Sequence, residues 1–565
     1  MLAFSANAWG GWSAPTGISI VDPSAPVARS LDVAVATDGT ATAVWVEDNG
    51  LGYDLRAARI APSGAASALP APLATAASGP RHLQVAVGPD GAATVVWEQN
   101  DGEGVVQMSR ISPDGTAGLP EDLSSEDVDA TTPHLAVGPS GAAIVVWREL
   151  SGGGNPVVEM IHVDPGGTPG SAQDLSEGDE DASNPRVAIG SDGTAAVLWH
   201  AVGVGLQSVQ VDPAGAVGTI RDAVDDADGA IYPPALAIGP DGTATAVWQR
   251  AEDDTVAIKT VQLDPDGIAG TVRAVGSPHY LAAASLGHHP EVVVGPDGTA
   301  TTVWSERELD SPYIVRTARV APDGTPAAAQ TLSPSGDRNA LDADLTVGPD
   351  GAVTAIWYGY YADDGISTIE ARRIAANGSI GAIDSLAFTQ SPEGVLDLSS
   401  PTIAASADSK VTALWQSSIA IRASRFTEPV PVIPPPKPPP PTVAPPVTKP
   451  PPSKPRPSFS LGAQKRKLTV KHGGTARFKT SVRNTGGALA KSVRICAKAS
   501  KRVRRALLMR KCLVVGQLAA KRLARRTFSV KPRRAAKRGS AYAFKLTVTG
   551  VGASPKSIAV RIVVR

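Results

Sequence analysis

Not one aspartate or glutamate occurs among the last 107 residues, 459–565, which carry 29 lysines and arginines. Such a segment cannot neutralise its own charge, so it needs solvent, salt or an anionic partner. Residues 1–427 invert the balance with 53 acidic and 20 basic side chains, a net of −33, so the −1 of the whole 565-residue chain hides a strongly polarised molecule. Aromatic residues make up only 4%, which leaves the cores to Val, Ala, Leu and Ile. No apolar run approaches the roughly 18 residues that cross a bilayer as a helix. Cysteine occurs twice, as Cys496 and Cys512, and an even pair in an exported protein predicts a disulfide. The first residues lack the basic start and apolar stretch of a secretory leader, yet Ala6-Asn7-Ala8 has the form of a cleavage site. Residues 1–8 are therefore expected to be the remnant of a signal peptide on a secreted or cell-surface protein.

What the chain has is a repeat. Eight of its ten tryptophans, Trp45, Trp97, Trp147, Trp199, Trp248, Trp304, Trp357 and Trp415, close copies of one phrase, seen as VAVGPDGAATVVW at residues 85–97. Their separations run from 49 to 58 residues, a period that belongs to four-stranded blades rather than helical solenoids. Within a unit, short apolar runs alternate with turn phrases, at Pro89-Asp90-Gly91 and again at Pro113-Asp114-Gly115. Proline presets φ, aspartate caps the turn with its side chain, and glycine accepts positive φ. Sheets of this size bury both faces only by stacking radially, which predicts an eight-bladed β-propeller over residues 9–427 with the eight tryptophans as core between blades. The last unit, Pro401–Phe426, has three strands, and an unassigned strand lies near Trp12–Ser19. The N-terminal strand is expected to complete the last blade and cover its open edge.

The Pro-Asp-Gly turns and closing tryptophan resemble those of secreted bacterial β-propeller repeat proteins. The phrase departs from the sialidase Asp-box, because Asp and Gly are adjacent here, as in Asp192-Gly193, and it lacks the tryptophan-docking spacing of quinoprotein dehydrogenases. With both tight turns on one edge, the variable loops fall on the other, and there the acid concentrates: residues 126–129, 177–181, 225–228, 252–254 and 363–364. Residues entering the innermost strands, His82, His134, Arg186, Tyr232, His289 and Asp344, are the candidate ligand-binding set at the channel mouth; the plain alternative is solvated loop residues. No metal-ligand spacing, EF-hand, nucleophile elbow or paired-carboxylate signature emerges, so neither a catalytic residue nor a cofactor or metal is expected.

Residues 428–458 are a proline-rich linker, with 16 prolines in positions 429–457, which suits polyproline II rather than a core. Beyond it, Ala476–Arg483 alternates apolar and cationic residues, as do Tyr542–Val548 and Ile558–Val564, which predicts half-buried strands and a seven-strand immunoglobulin-like β-sandwich over residues 459–565. The Asn484-Thr485-Gly486 turn, the Val-x-Ile-Cys strand and the phrase CLVVGQL make it similar to bacterial cell-adhesion-related (CARDB) domains, a resemblance that implies extracellular adhesion or spacing. Cation runs such as Lys501–Arg505 suit anionic envelope polymers, simple solvation or contact with the acidic propeller, or phosphate attraction to nucleic acid; aromatic interleaving for base stacking is absent. Together these features describe a non-enzymatic binding or adhesion protein whose partner is an envelope polymer, glycan or protein, without specific nucleic-acid recognition; the rival is a propeller hydrolase or lyase acting on extracellular polysaccharide.

Overall fold

The computed structural model describes the chain outside residues 1–10, 19–29, 101, 151–153, 179, 226–232, 253–254, 277–278, 281–288, 308–310, 335–337, 362–364, 391–397, 418–419, 427–456, 464–466, 472–473, 487, 510–511, 534–535 and 552. It divides into two units, Met1–Ile433 and Pro434–Arg565. The boundary falls inside the proline-rich segment, most of which lies outside the described residues.

The first unit is an eight-bladed β-propeller. Each blade is an antiparallel meander, as in blade 2, where Arg81–Val87, Ala93–Asn100, Gly104–Ile111 and Glu121–Asp122 pair in sequence order. Blades 1 and 5 each add a short fifth strand, Ala74–Ala76 and His279–Tyr280. The innermost strands touch round a closed circle, including Leu31–Val35 of blade 1 against Leu398–Ala405 of blade 8. Blade 8 takes its outermost strand from the N-terminus: Thr16–Gly17 pairs with Ala420–Phe426, Ser13 N–H donates to Arg425 O at 2.7 Å, and Ile18 N–H donates to Ile421 O at 2.9 Å. Trp12 packs its ring 5.5 Å from that of Phe426.

The turn phrase does locally what its residues predict. In blade 2 Gly88 N–H donates to Ala92 O, Gly91 N–H donates to Gly88 O, both at 2.9 Å, and Asp90 Oδ1 accepts Ala92 N–H at 3.0 Å. Gly91 stands at φ +80°, where a β-carbon would strain the backbone. The tryptophans are buried, from 0% to 2% exposed, and each core cluster spans two neighbouring blades: Trp97 lies with Val44, Leu55 and Ala57 of blade 1, and Trp45 with Leu414 and Ile421 of blade 8. Indole N–H groups are hydrogen-bonded by Glu or Gln in six blades, as Trp97 Nε1 to Gln107 Oε1 at 3.1 Å.

A second periodic device sits at the penultimate residue of each third strand: Arg59, Arg110, His162, Gln210, Gln262, Arg319, Arg373 and Arg425. Several reach the turns of the next blade. Arg59 donates to Gly91 O and Pro113 O, Gln262 to Ala321 O, and the buried Arg425 to Gly39 O at 2.6 Å and Ala61 O at 3.0 Å. Arg373, which faces blade 8, covers the Phe426 ring at 5.1 Å.

Among the described residues the second unit is a β-sandwich of nine strands rather than seven. One sheet orders Phe459–Ala463, Ala476–Asn484, Leu523–Pro532 and Leu507–Met509; the other orders Lys467–Val470, Ala553–Val564, Ala541–Val551, Ala490–Lys498 and Cys512–Leu518. The count departs from seven because Leu507–Met509 is too short to show a period, and Lys467–Val470 pairs in parallel with the final strand almost a hundred positions away. A six-residue helix, Lys501–Ala506, is capped by Ser500. Between the sheets lie Phe478, Phe528, Phe544, Val482, Ile495 and Leu546. Asn484 is fully buried and ties the Asn-Thr-Gly turn down, donating to Ala488 O and Leu518 O and accepting Gly486 N–H. Cys496 and Cys512 face each other across paired strands and form a disulfide. Among the described residues no helix is long and apolar enough to cross a membrane.

Candidate functional site

Each innermost strand presents one residue to the central lumen, and each of these stands thirteen positions before its blade's tryptophan. Blades 1 to 4 supply Asp32, Gln84, His134 and Arg186; blades 5 to 8 supply Ala235, Glu291, Asp344 and Thr402. Their equivalence is one of register, since all eight lie opposite an aliphatic residue of the second strand, from Asp32↔Val44 to Thr402↔Leu414. Seven of the eight line a cavity of about 400 Å³, with Leu31, Leu83, Leu135 and Leu236 between them.

In five blades a β-bulge aims the residue. The register shifts two positions earlier, and the residue there has left-handed φ: His82 at +46°, Thr132 at +54°, Asn184 at +53°, Asp342 at +50° and Ser400 at +48°. Among residues with a β-carbon, Asn, Asp and His adopt this backbone more readily than the rest. Retaining it with Thr132 and Ser400 as well marks a geometry that the surrounding fold enforces.

Of the residues singled out from sequence, His134, Arg186 and Asp344 line the lumen. His82 does not: it is the bulge residue, half exposed, with Nδ1 2.9 Å from Glu98 Oε2, and it borders a separate cavity of about 420 Å³ with Tyr53 and Arg81. His289 lies two positions before the lumen residue Glu291 and outside the cavity lining. Tyr232 lies outside the described residues, as do several of the acidic-loop residues. Asp32, Gln84, Glu291 and Thr402 are lumen residues that the reading from sequence misses, although their constant distance from the tryptophan marks all four.

Five ring side chains are occupied in joining blades: Thr402 Oγ1 donates to Asp344 Oδ2 at 2.9 Å, and four accept a backbone N–H of the next blade. Asp32 Oδ2 accepts Val85 N–H at 2.8 Å, Gln84 Oε1 accepts Leu135 N–H at 2.8 Å, His134 Nδ1 accepts Val187 N–H at 3.3 Å, and Asp344 Oδ2 accepts Ile403 N–H at 3.0 Å. Each of these four bonds runs from one blade to the residue after the ring position of the next. Accepting through Nδ1 leaves His134 with its proton on Nε2, and burial holds it neutral by pushing its pKa well below the ordinary histidine value.

Arg186 and Glu291 are different. Arg186 donates to its own neighbour, Pro185 O, at 2.9 Å. Glu291 makes no side-chain hydrogen bond or ion pair among the described residues. The two flank Ala235, whose methyl group leaves the ring open between them. Glu291 faces the lumen and is exposed to it, yet protein encloses it on all sides, and this desolvation together with Asp344 and Asp32 pushes its carboxyl up to about 8. Burial likewise raises Asp32 to about 7 and Asp344 to about 6, against hydrogen bonds that favour their charged forms. The lumen is therefore electrically two-sided: blades 6, 7 and 1 carry the acids, and Arg186 stands across from them. Among the described residues no group of three or more His, Cys, Asp or Glu gathers closely enough to hold a metal ion.

No protein family matches the chain, and no curated protein does. Solved structures resemble it distantly. A lectin, BP39L from Burkholderia pseudomallei, is 13% identical, covering 63% of this chain and 98% of its own with a TM-score of 0.44. An ulvan lyase, a polysaccharide lyase, is 10% identical over 73% of this chain and 94% of its own, TM-score 0.41. An α-L-arabinanase from Penicillium chrysogenum is 10% identical over 74% and 98%, TM-score 0.36. At these values the likeness adds nothing to what the chain's own strand pairing establishes about the fold.

Proposed function

We propose that the protein is a non-enzymatic recognition protein of a cell surface, with the propeller as its binding body and the sandwich docked on an anionic envelope polymer. The observation that carries this is the uncompensated charge of the sandwich. Arg477, Lys479 and Arg483 on one strand and Arg525 and Lys531 on its neighbour all point outward from one sheet, and Arg494, Lys498, Lys545 and Arg561 from the other. Lys498 even stands directly opposite Lys545, a pairing that costs stability in isolation and suits a surface built to meet polyanions. A disulfide accords with an exported protein, and the binding reading is further supported by Asp32, His134 and Asp344 being engaged in blade-to-blade bonds rather than free for acid–base chemistry.

The polysaccharide hydrolase or lyase reading keeps one observation in its favour: carboxyls held partly protonated near neutral pH. Both readings are tested by passing the full chain over immobilised poly(glycerol phosphate) and polygalacturonate while assaying the flow-through for new chain ends. Binding is expected to weaken steeply with salt and to fall at least tenfold when Arg477, Lys479, Arg483 and Arg525 are all changed to Gln. Retention in molar salt, or unchanged retention of that variant, overturns the docking, and released chain ends favour the enzyme.

A further inference from the structure

We propose that the propeller lumen binds a small zwitterion of amino-acid to dipeptide size, its anionic end on Arg186 and its cationic end on Glu291, seated over Ala235. This site is separate from the polymer docking proposed for the sandwich, and neither depends on the other.

Three observations converge. The ring uses its acceptors systematically to stitch one blade to the next, and Glu291 is the carboxyl left out of that stitching. The Leu345 N–H that it would take by analogy is satisfied instead by Asp344 Oδ1 at 2.6 Å. Arg186 cannot accept a hydrogen bond at all, so its blade gives up that bond and gains a guanidinium in the lumen. Opposite charges two blades apart attract, yet no ion pair forms between them, and the side chain between them is reduced to a methyl group. A gap bounded by one cation and one carboxyl, within a cavity of about 400 Å³, has the charge pattern of a molecule that carries both signs.

The arrangement discriminates. A simple anion meets Arg186 but also Glu291, Asp344 and Asp32, and a simple cation meets the acids but also Arg186. Only a ligand with both groups satisfies each side and leaves neither charge facing its like. The charged and titratable groups that face the ligand are Asp32, His134, Arg186, Glu291 and Asp344. His134 stays neutral, so the ammonium end is countered by the acids alone, and binding must draw a proton from Glu291 whenever that carboxyl starts protonated.

Calorimetric titration of the full chain with γ-aminobutyrate, β-alanine and glycylglycine, each against acetate and ethylammonium, tests this. At least one zwitterion is expected to bind tenfold or more tightly than either single-charge probe. For γ-aminobutyrate, whose alkylammonium stays charged like that of lysine, binding should be tighter at pH 8.5 than at pH 6. At pH 7 it should release protons, seen as a heat that depends on the buffer's ionisation enthalpy. Glu291→Gln should weaken binding at least tenfold and abolish the proton release, and Arg186→Met should weaken it at least tenfold. Because the Glu291 side chain makes no structural bond, Glu291→Gln keeps the test open even where Arg186→Met fails to fold. No heat from any zwitterion at ~10 mM, a concentration that reaches Kd values near the weak end of specific binding, overturns the proposal. Single-charge probes that bind equally well, or wild-type affinity in Glu291→Gln, overturn it too.

Discussion

Removing residues 1–18 should open the propeller at a known seam. That segment places Trp12, 5% exposed, against Phe426, and Ile18, 6% exposed, against the core shared by blades 8 and 1. Losing a buried Trp costs about 3–5 kcal/mol and a buried Ile about 2–5 kcal/mol, so the deletion should cost at least about 5 kcal/mol before the bared edge of Ala420–Phe426 is counted. With an unfolding entropy of about 2.1 cal/mol/K per residue, a propeller of roughly 400 residues loses on the order of 6 °C in Tm. Tryptophan fluorescence isolates this transition, because all ten tryptophans lie in residues 9–415 and the sandwich has none. Light scattering should rise in parallel as the edge strand pairs between molecules. A truncated chain that melts within about 2 °C of the intact one, well inside the shift worked out above, and without aggregation, would refute strand-mediated closure.

Arg425→Met strips three hydrogen bonds from a buried guanidinium that clamps blade 8 to blade 1, and the same fluorescence melt should show a loss of about 3 kcal/mol. Asp32 is expected to make stability depend on pH with a definite sign: its folded pKa of about 7 lies above the ordinary 3.8, so the folded state holds the proton more tightly and the propeller loses stability as pH rises from about 4 to about 7. Asp32→Asn, which keeps an acceptor for Val85 N–H, should therefore raise Tm at pH 8 and leave it unchanged at pH 4; equal shifts at both would disprove the linkage. Reducing the Cys496–Cys512 disulfide, which closes a loop with a sequence separation of 16, should cost the sandwich about 3 kcal/mol, measured by circular dichroism, while the tryptophan signal stays where it was.

Periodicity carries the architecture into plain view. The tryptophan phrase, its Pro-Asp-Gly turn and the three-stranded last unit suffice to predict eight blades and a borrowed strand, because these are local signals repeated eight times and the closure is their sum. The sandwich is legible through alternation at Ala476–Arg483 and Tyr542–Val548, but its shortest strands are not, because three or four residues cannot display a period and Lys467–Val470 finds its partner only through the tertiary fold.

The lumen shows where local reasoning stops. His82 enters its strand and looks like a lumen residue, yet Gln84 is the one that faces the lumen: simple alternation would place both on one face, and the one-residue slip between Arg81 and Gln84, with His82 at φ +46°, separates them. Sequence determined which residue types recur at each position of the blade, since turn chemistry and burial act within one unit. Which of them converge was decided only when eight strands from distant parts of the chain met around one axis. That meeting sets Asp32, Gln84, His134 and Asp344 to holding neighbouring blades, and leaves Arg186 and Glu291, on either side of Ala235, without a bond to a neighbouring blade.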